Sequence, residues 1–248
     1  MTNKAPKPVN LWLPDYYKTP VAELFGPGKQ FEIYDRTFES AARVITEVFW
    51  GGIDAYDPDG VMAEVGQTPT VRVCNHHNLT DPPVVAIGHM KLGANMPYFA
   101  AMAELFDERW PAVAERISKL GGYPVDRARM QAREFQALVR FRRASEYILG
   151  ELYESVAIFP QGGITTAGKK GVIEDINTGA LHLAEKAGVP IIVSAVAGNR
   201  HVLPKLLFGP RATVFVHEVF MPDNLPTADK LQGSMQIAVQ RAEQYHKR

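Results

Sequence analysis

The run Pro190-Ile-Ile-Val-Ser-Ala-Val196 is apolar at every position except Ser194. A strand with no polar face has to be covered on both sides, a demand met when helices lie over both faces of a sheet. The residues before it, Thr178 to Gly188, read as a helix that stops on a glycine, and Val189-Pro190 opens the strand. The same alternation recurs along the chain. Pro97–Ala101, Ser155–Phe159 and Thr213–His217 read as short apolar strands. A helix starting at Trp110-Pro111 carries Val113 and Ile117 on one face and stops at Gly121-Gly122. Another run, Arg129–Leu152, is also helical, and Thr227 caps a last amphipathic helix that continues to the end. Strands alternating with helices predict an α/β fold.

Composition sets outer bounds. A chain of 248 residues with 46% hydrophobic residues can bury one substantial core. Its 27 basic and 27 acidic residues cancel, so no overall field favours nucleic acid. One cysteine excludes an intrachain disulfide and fits a reducing compartment. No apolar stretch reaches the roughly 18 residues of a membrane span, and Met1–Pro6 lacks the apolar core of a signal peptide. These features lead to the expectation of a cytoplasmic protein, soluble or attached peripherally to the inner face of a membrane.

Residues 1–30 are rich in proline, glycine and aromatics and read as an irregular arm, pinned to the body by Trp12, Tyr16, Tyr17 and Phe25. From about Phe31, the spacing of Tyr34, Phe38, Ala41, Ile45, Val48 and Phe49 predicts an amphipathic helix. It packs on the core or rests on a lipid surface, where Phe49 and Trp50 would sit well. Gly51-Gly52 ends it, and Asp57-Pro-Asp-Gly60 is a turn. The chain therefore divides into an arm and helix, 1–68, packed on an α/β domain, 69–248, as one structural unit.

Chemistry concentrates in Val71-Arg-Val-Cys-Asn-His-His-Asn-Leu-Thr-Asp-Pro-Pro83. A strand ends in Asn75, His76 and His77, and Asp81 follows near a helix start, with the prolines in the first turn, where a missing N–H costs nothing. An imidazole aimed from a strand end, with a carboxylate to fix its tautomer, is the equipment of a general base. Metal binding is the competing use of His76, His77 and Asp81. Cys74 belongs to no paired spacing and no H-E-x-x-H is present, so no metal site is expected.

Asn75-His76-x4-Asp81 resembles the N-H-x4-D motif of the glycerolipid acyltransferases, the PlsC-like or lysophosphatidic acid acyltransferase family. His76-His77-x3-Asp81 also fits the H-H-x3-D motif of condensation-domain and chloramphenicol-acetyltransferase-like enzymes, in which His77 would be the base. Those enzymes usually carry glycine after the aspartate, where this chain has Pro82. Three further segments are similar to the glycerolipid motifs, in the same order. Gly121-Gly-Tyr-Pro-Val-Asp-Arg127 resembles the second, Phe159-Pro160-x-Gly162 the third (F-P-E-G-T-R-S), and helix, Gly188-Val-Pro190, strand the fourth. Together they span about residues 70–197, and they favour the glycerolipid family and His76.

The resemblance implies a mixed sheet flanked by helices, with an N-terminal helical part. It implies transfer of a fatty acyl group from acyl-CoA or an acyl carrier protein to a hydroxyl of a lysophospholipid or glycerol-phosphate-like lipid acceptor, with peripheral membrane contact and no cofactor beyond the co-substrate. His76 would be the base and Asp81 its partner. Asn75, Arg127, Gln161, Gly162, Gly163 and Pro190 would hold substrate, with Arg127 on an acceptor phosphate. An always-charged, forked guanidinium suits that task. The arginines of the 129–152 run, Arg133, Arg140, Arg142 and Arg143, form either a solvated face or a patch for the phosphates of a carrier or headgroup.

Three departures bear on the acceptor: Gln161 replaces the glutamate of the third motif, Gly163 its threonine, and Ile164 its arginine. A carboxamide keeps the accepting oxygen but drops the charge and gains two donors. The alternatives are therefore transfer to an alcohol or quinol without phosphate, thioester hydrolysis, and a catalytically silent lipid-binding protein.

Overall fold

The computed structural model describes residues 16–31, 52–78, 80–106, 109–126, 135–164, 166–198 and 212–247. Seven strands form one sheet: β1 (Ile53–Tyr56), β2 (Val71–Cys74), β3 (Tyr98–Met102), β4 (Gly122–Val125), β5 (Val156–Ile158), β6 (Ile191–Ala197) and β7 (Ala212–Phe220). Their order across the sheet is β1-β7-β6-β2-β5-β3-β4. Strands β2 to β6 are mutually parallel, β7 runs antiparallel to β6, and β1 pairs in parallel with β7. The mixed, helix-flanked α/β fold expected from the sequence is present. The carboxyl ends of five parallel strands therefore lie along one edge, where open α/β sheets bind ligands.

The helices among the described residues are α1 (Val21–Leu24), α2 (Val61–Val65), α3 (Asp81–Lys91), α4 (Pro111–Lys119), α5 (Phe135–Gly150), α6 (Thr166–Lys169), α7 (Gly179–Ala187) and α8 (Ala228–His246). Both faces of the sheet are covered, and every residue of β2 and β6 is buried. Thr227 caps α8 as expected, accepting from Lys230 N at 3.3 Å. The turn at 57–60 is also present, closed by the Gly60 N–H on Asp57 O at 3.2 Å.

Two features differ from a plain reading of the pattern. Arg72, flanked by apolar residues, is 1% exposed rather than solvated, because β2 is a central strand with no wet face. And β1, inside the 1–68 stretch, is an edge strand of the sheet itself. The arm is pinned by aromatics: Tyr16 and Phe25 are buried with Phe31, Phe106 and Tyr123, and the Phe25 and Phe31 rings stack at 4.9 Å. Trp12 and the expected helix over 34–49 lie outside the described residues.

Candidate active site

Strand β2 delivers the central loop to the carboxyl edge. Asn75 fixes how the chain leaves the strand. Its Oδ1 accepts from Val196 N at 2.8 Å and its Nδ2 donates to Val196 O at 3.1 Å. The side chain thus extends the β2–β6 pairing one step past the last strand residue, as a backbone amide would. Asn78 shapes the rest of the loop by accepting from the Thr80 N–H at 2.6 Å. The Asp81 N–H then reaches back to Asn78 O at 3.2 Å, and α3 begins at Asp81 with Pro82 and Pro83 in its first turn.

Asp81 is fully buried and gathers the loop around it. Its Oδ2 accepts from the backbone N–H of His77 at 2.6 Å and of Asn78 at 2.9 Å. The same oxygen lies 3.0 Å from His76 Nδ1, and His77 Nδ1 is 3.0 Å from Oδ1. Burial alone would raise this carboxyl's pKa. The hydrogen bonds from His76 and His77, the electrostatic pull of His77 and the Asn78 N–H outweigh that and hold it well below the usual carboxylate range. An ionised carboxylate only accepts, so both imidazoles present Nδ1–H to it, and in the neutral form of either ring Nε2 is the lone-pair site. The two differ in access. The His76 side chain is 11% exposed and that of His77 2%, with His77 Nε2 buried and unpaired.

The loop after β5 closes over the same place. The Phe159 ring stacks on His76 with centroids 4.5 Å apart. Gly162 N–H returns to Phe159 O at 2.8 Å, making a turn in which Gly162 takes φ 70° and Gly163 φ 156°. The Pro160 carbonyl is held by Asn177, through its N–H at 2.8 Å and its Nδ2 at 2.9 Å. Gln161 points inward, with Oε1 3.3 Å from the His76 N–H.

A family model for acyltransferases matches residues 55–197, more than half of the chain. The chain belongs to the acyltransferase family. It is similar in structure to the 1-acyl-sn-glycerophosphate acyltransferase PlsC of Thermotoga maritima, with a TM-score of 0.59 and 19% identity over 86% of this chain and 80% of that one. No curated protein sequence matches it.

In this acyltransferase the fold brings together Asn75, His76, Asp81, Gln161, Gly162 and Gly163. Pro190 is elsewhere. Its carbonyl accepts the Val71 N–H at 2.9 Å, at the opposite end of β2, about 10 Å away by strand rise. The reason is that Gly-Val-Pro opens β6, whereas the site lies where parallel strands end. Arg127 lies outside the described residues, as does Arg133. Among the described residues no group of three or more His, Cys, Asp or Glu is placed to hold a metal, and no helix is long and apolar enough to cross a membrane. Sequence reasoning weighed His76 and His77 as alternative bases where the fold seats both on Asp81, and it missed the Phe159 ring under His76 and the Asn177 clasp. The phenylalanine was visible as a motif letter, but its role needed the β2–β5 pairing.

Proposed function

We propose that this acyltransferase moves a fatty acyl group from a thioester, acyl-CoA or an acyl carrier protein, to a hydroxyl of a glycerolipid acceptor, a lysophospholipid or glycerol-phosphate-like lipid. The observation that carries the reading is the His76–Asp81 pair at the carboxyl end of β2, with His76 the more accessible of the two imidazoles. Hydrogen-bonded through Nδ1, His76 has Nε2 free to take the acceptor's proton. The hydroxyl oxygen attacks the thioester carbonyl and a tetrahedral oxyanion forms. Its collapse breaks the C–S bond, and the proton passes from His76 to the departing thiolate, leaving an ester and a free thiol. No covalent acyl-enzyme and no metal takes part.

A lipid acceptor puts the reaction at a membrane surface. Trp110 and Phe135 are 60% and 78% exposed. They stand at the starts of α4 and α5, the helices that follow β3 and β4 in the chain. Exposed aromatics suit peripheral contact with the inner face of a membrane.

The test is mass spectrometry of products from labelled long-chain acyl-CoA and a total lipid extract, beside His76→Ala. The expected result is a labelled ester whose rate of formation falls roughly 10²–10⁴-fold in the variant, the usual weight of general acid–base catalysis. Near-normal turnover in His76→Ala would remove His76 from the mechanism. One observation favours a second reading, an acceptor without phosphate: Ile164 stands at the arginine position of the third motif, and the Gln161 amide faces His76 and Val172. Competition by glycerol phosphate compounds separates the two acceptors.

A further inference from the structure

We infer that Gln161 is a positioning residue, which ties the His76 backbone to the 171–173 segment, a segment that two glutamines of the C-terminal helix bond in turn. The inference rests on His76 being the reacting imidazole. Gln161 is 5% exposed, and both ends of its amide are engaged. Oε1 accepts from His76 N at 3.3 Å, and Nε2 donates to Val172 O at 3.4 Å. A carboxamide can accept at one end and donate at the other; a carboxylate could make only the first of these bonds. Glutamine at this place in the third motif therefore fits a bridge between two backbone groups.

The far end of the bridge is anchored in its turn. Residues 170–173 belong to no helix or strand, and the Val172 side chain is 47% exposed, so burial of that side chain does little to fix its carbonyl. Local bonds hold part of it, the Val172 N–H on Ala167 O at 3.0 Å with Ile173 buried beside it, and helix α8 adds to them. Gln236 Oε1 accepts from Ile173 N at 2.9 Å, and its Nε2 donates to Gly171 O at 3.1 Å. Gln232 adds a bond to Ile173 O at 3.4 Å. These glutamines are four residues apart, hence on one helix face. The adjoining face of α8 buries Leu231, Met235, Ala238 and Val239 in the core. A continuous path thus runs from the body of α8 through residues 171–173 and Gln161 to the His76 N–H. Its importance follows from the steepness of catalysis with geometry, since a misplacement near 1 Å can cost about 10²-fold in rate.

The experiment is amide hydrogen exchange at His76, followed by NMR on the full chain, in the wild type, Gln161→Leu, Gln161→Glu and Gln236→Leu. Exchange reports a hydrogen bond that opens locally, and it needs no turnover. The expected result is exchange at His76 faster by on the order of 10-fold in Gln161→Leu, and faster by a smaller factor in Gln236→Leu and Gln161→Glu, with Val73 unchanged. Unchanged exchange at His76 in the Gln161 variants would overturn the bridge. If Gln161→Leu does not fold, Gln236→Leu carries the test, because it alters only the helix face that meets residues 171–173.

Kinetics with long-chain acyl-CoA and 1-acylglycerol 3-phosphate supply the second arm. A positioning role lowers kcat about 10–100-fold with both KM values held, and Gln236→Leu adds less to Gln161→Leu than it costs alone. A raised acceptor KM with intact kcat would make Gln161 an acceptor ligand and overturn the inference. Full activity in His76→Ala would instead defeat the assignment of the base, while exchange at the His76 amide still decides the bridge.

Discussion

His89, two turns along α3 from Asp81, is fully buried with neither ring nitrogen paired. Burial first, and the nearby Arg72 guanidinium second, push its pKa well below the ordinary 6.5. The folded protein therefore keeps this imidazole neutral, whereas the unfolded chain takes up a proton near pH 6.5. Stability from this group is fully present above that pH and is lost as pH falls through it, by up to about 1.4 kcal/mol per pH unit. Asp81, with its folded pKa also depressed, loses its share only as pH falls through about 4 and below, so the His89 loss begins first. Urea unfolding at pH 7 and pH 5 should show a smaller loss in His89→Leu than in the wild type; equal losses would place the acid sensitivity elsewhere. At this scale the sequence was legible where a residue's chemistry announces itself, as at His76 and Asp81. It was opaque at His89, whose environment is made by residues distant in the chain.

Helix α3 places Asp81, and what places α3 is its contact with the sheet. Val84, Val85, Ala86 and Ile87 are buried, and Gly88 lies against β7 so closely that a Cβ there would stand 2.5 Å from Val214 Cγ2. The glycine is helical, so space and not backbone conformation requires it. Gly88→Ala should cost about 1–3 kcal/mol, the usual range for overpacking, and should lower activity by tilting the helix that carries Asp81. A thermal shift within error of wild type would show that Val214 moves aside freely. The elements themselves were largely readable: the apolar run of β6, the glycine stop after α7 and the Thr227 cap of α8 appear where pattern and cap chemistry put them. β1 and α2 were not, because Ile53–Tyr56 is too short and too mixed to signal a strand before β7 pairs with it.

At the scale of the molecule, Arg72 ties together segments that the chain keeps far apart. Its guanidinium donates to Asn95 O at 2.6 Å, Gly66 O at 3.1 Å, Ser155 Oγ at 3.2 Å and Thr70 Oγ1 at 3.2 Å. Burial lowers its pKa to about 10, against the pull of Glu154, so it stays charged at neutral pH. Arg72→Met would leave several buried acceptors without a donor, at about 1–3 kcal/mol each. Urea unfolding should show a loss of roughly 3 kcal/mol or more at unchanged m; a loss under about 1 kcal/mol would mean that the acceptors find other donors.

The sequence alone determined the alternation of strands and helices, the acyltransferase motifs, and the His76–Asp81 pair. Each of these is local: an apolar period, a capping residue, or an imidazole and a carboxylate five positions apart. Only the tertiary structure decided which residues share the site. Strand order set β5 beside β2, which laid Phe159 on His76 and turned Gln161 toward its N–H. Parallel pairing with β6 put Asn75 against Val196 and left Pro190 at the far end. Such neighbours depend on sheet topology, and pairing between strands more than 80 residues apart leaves no period in the chain for a reader to find.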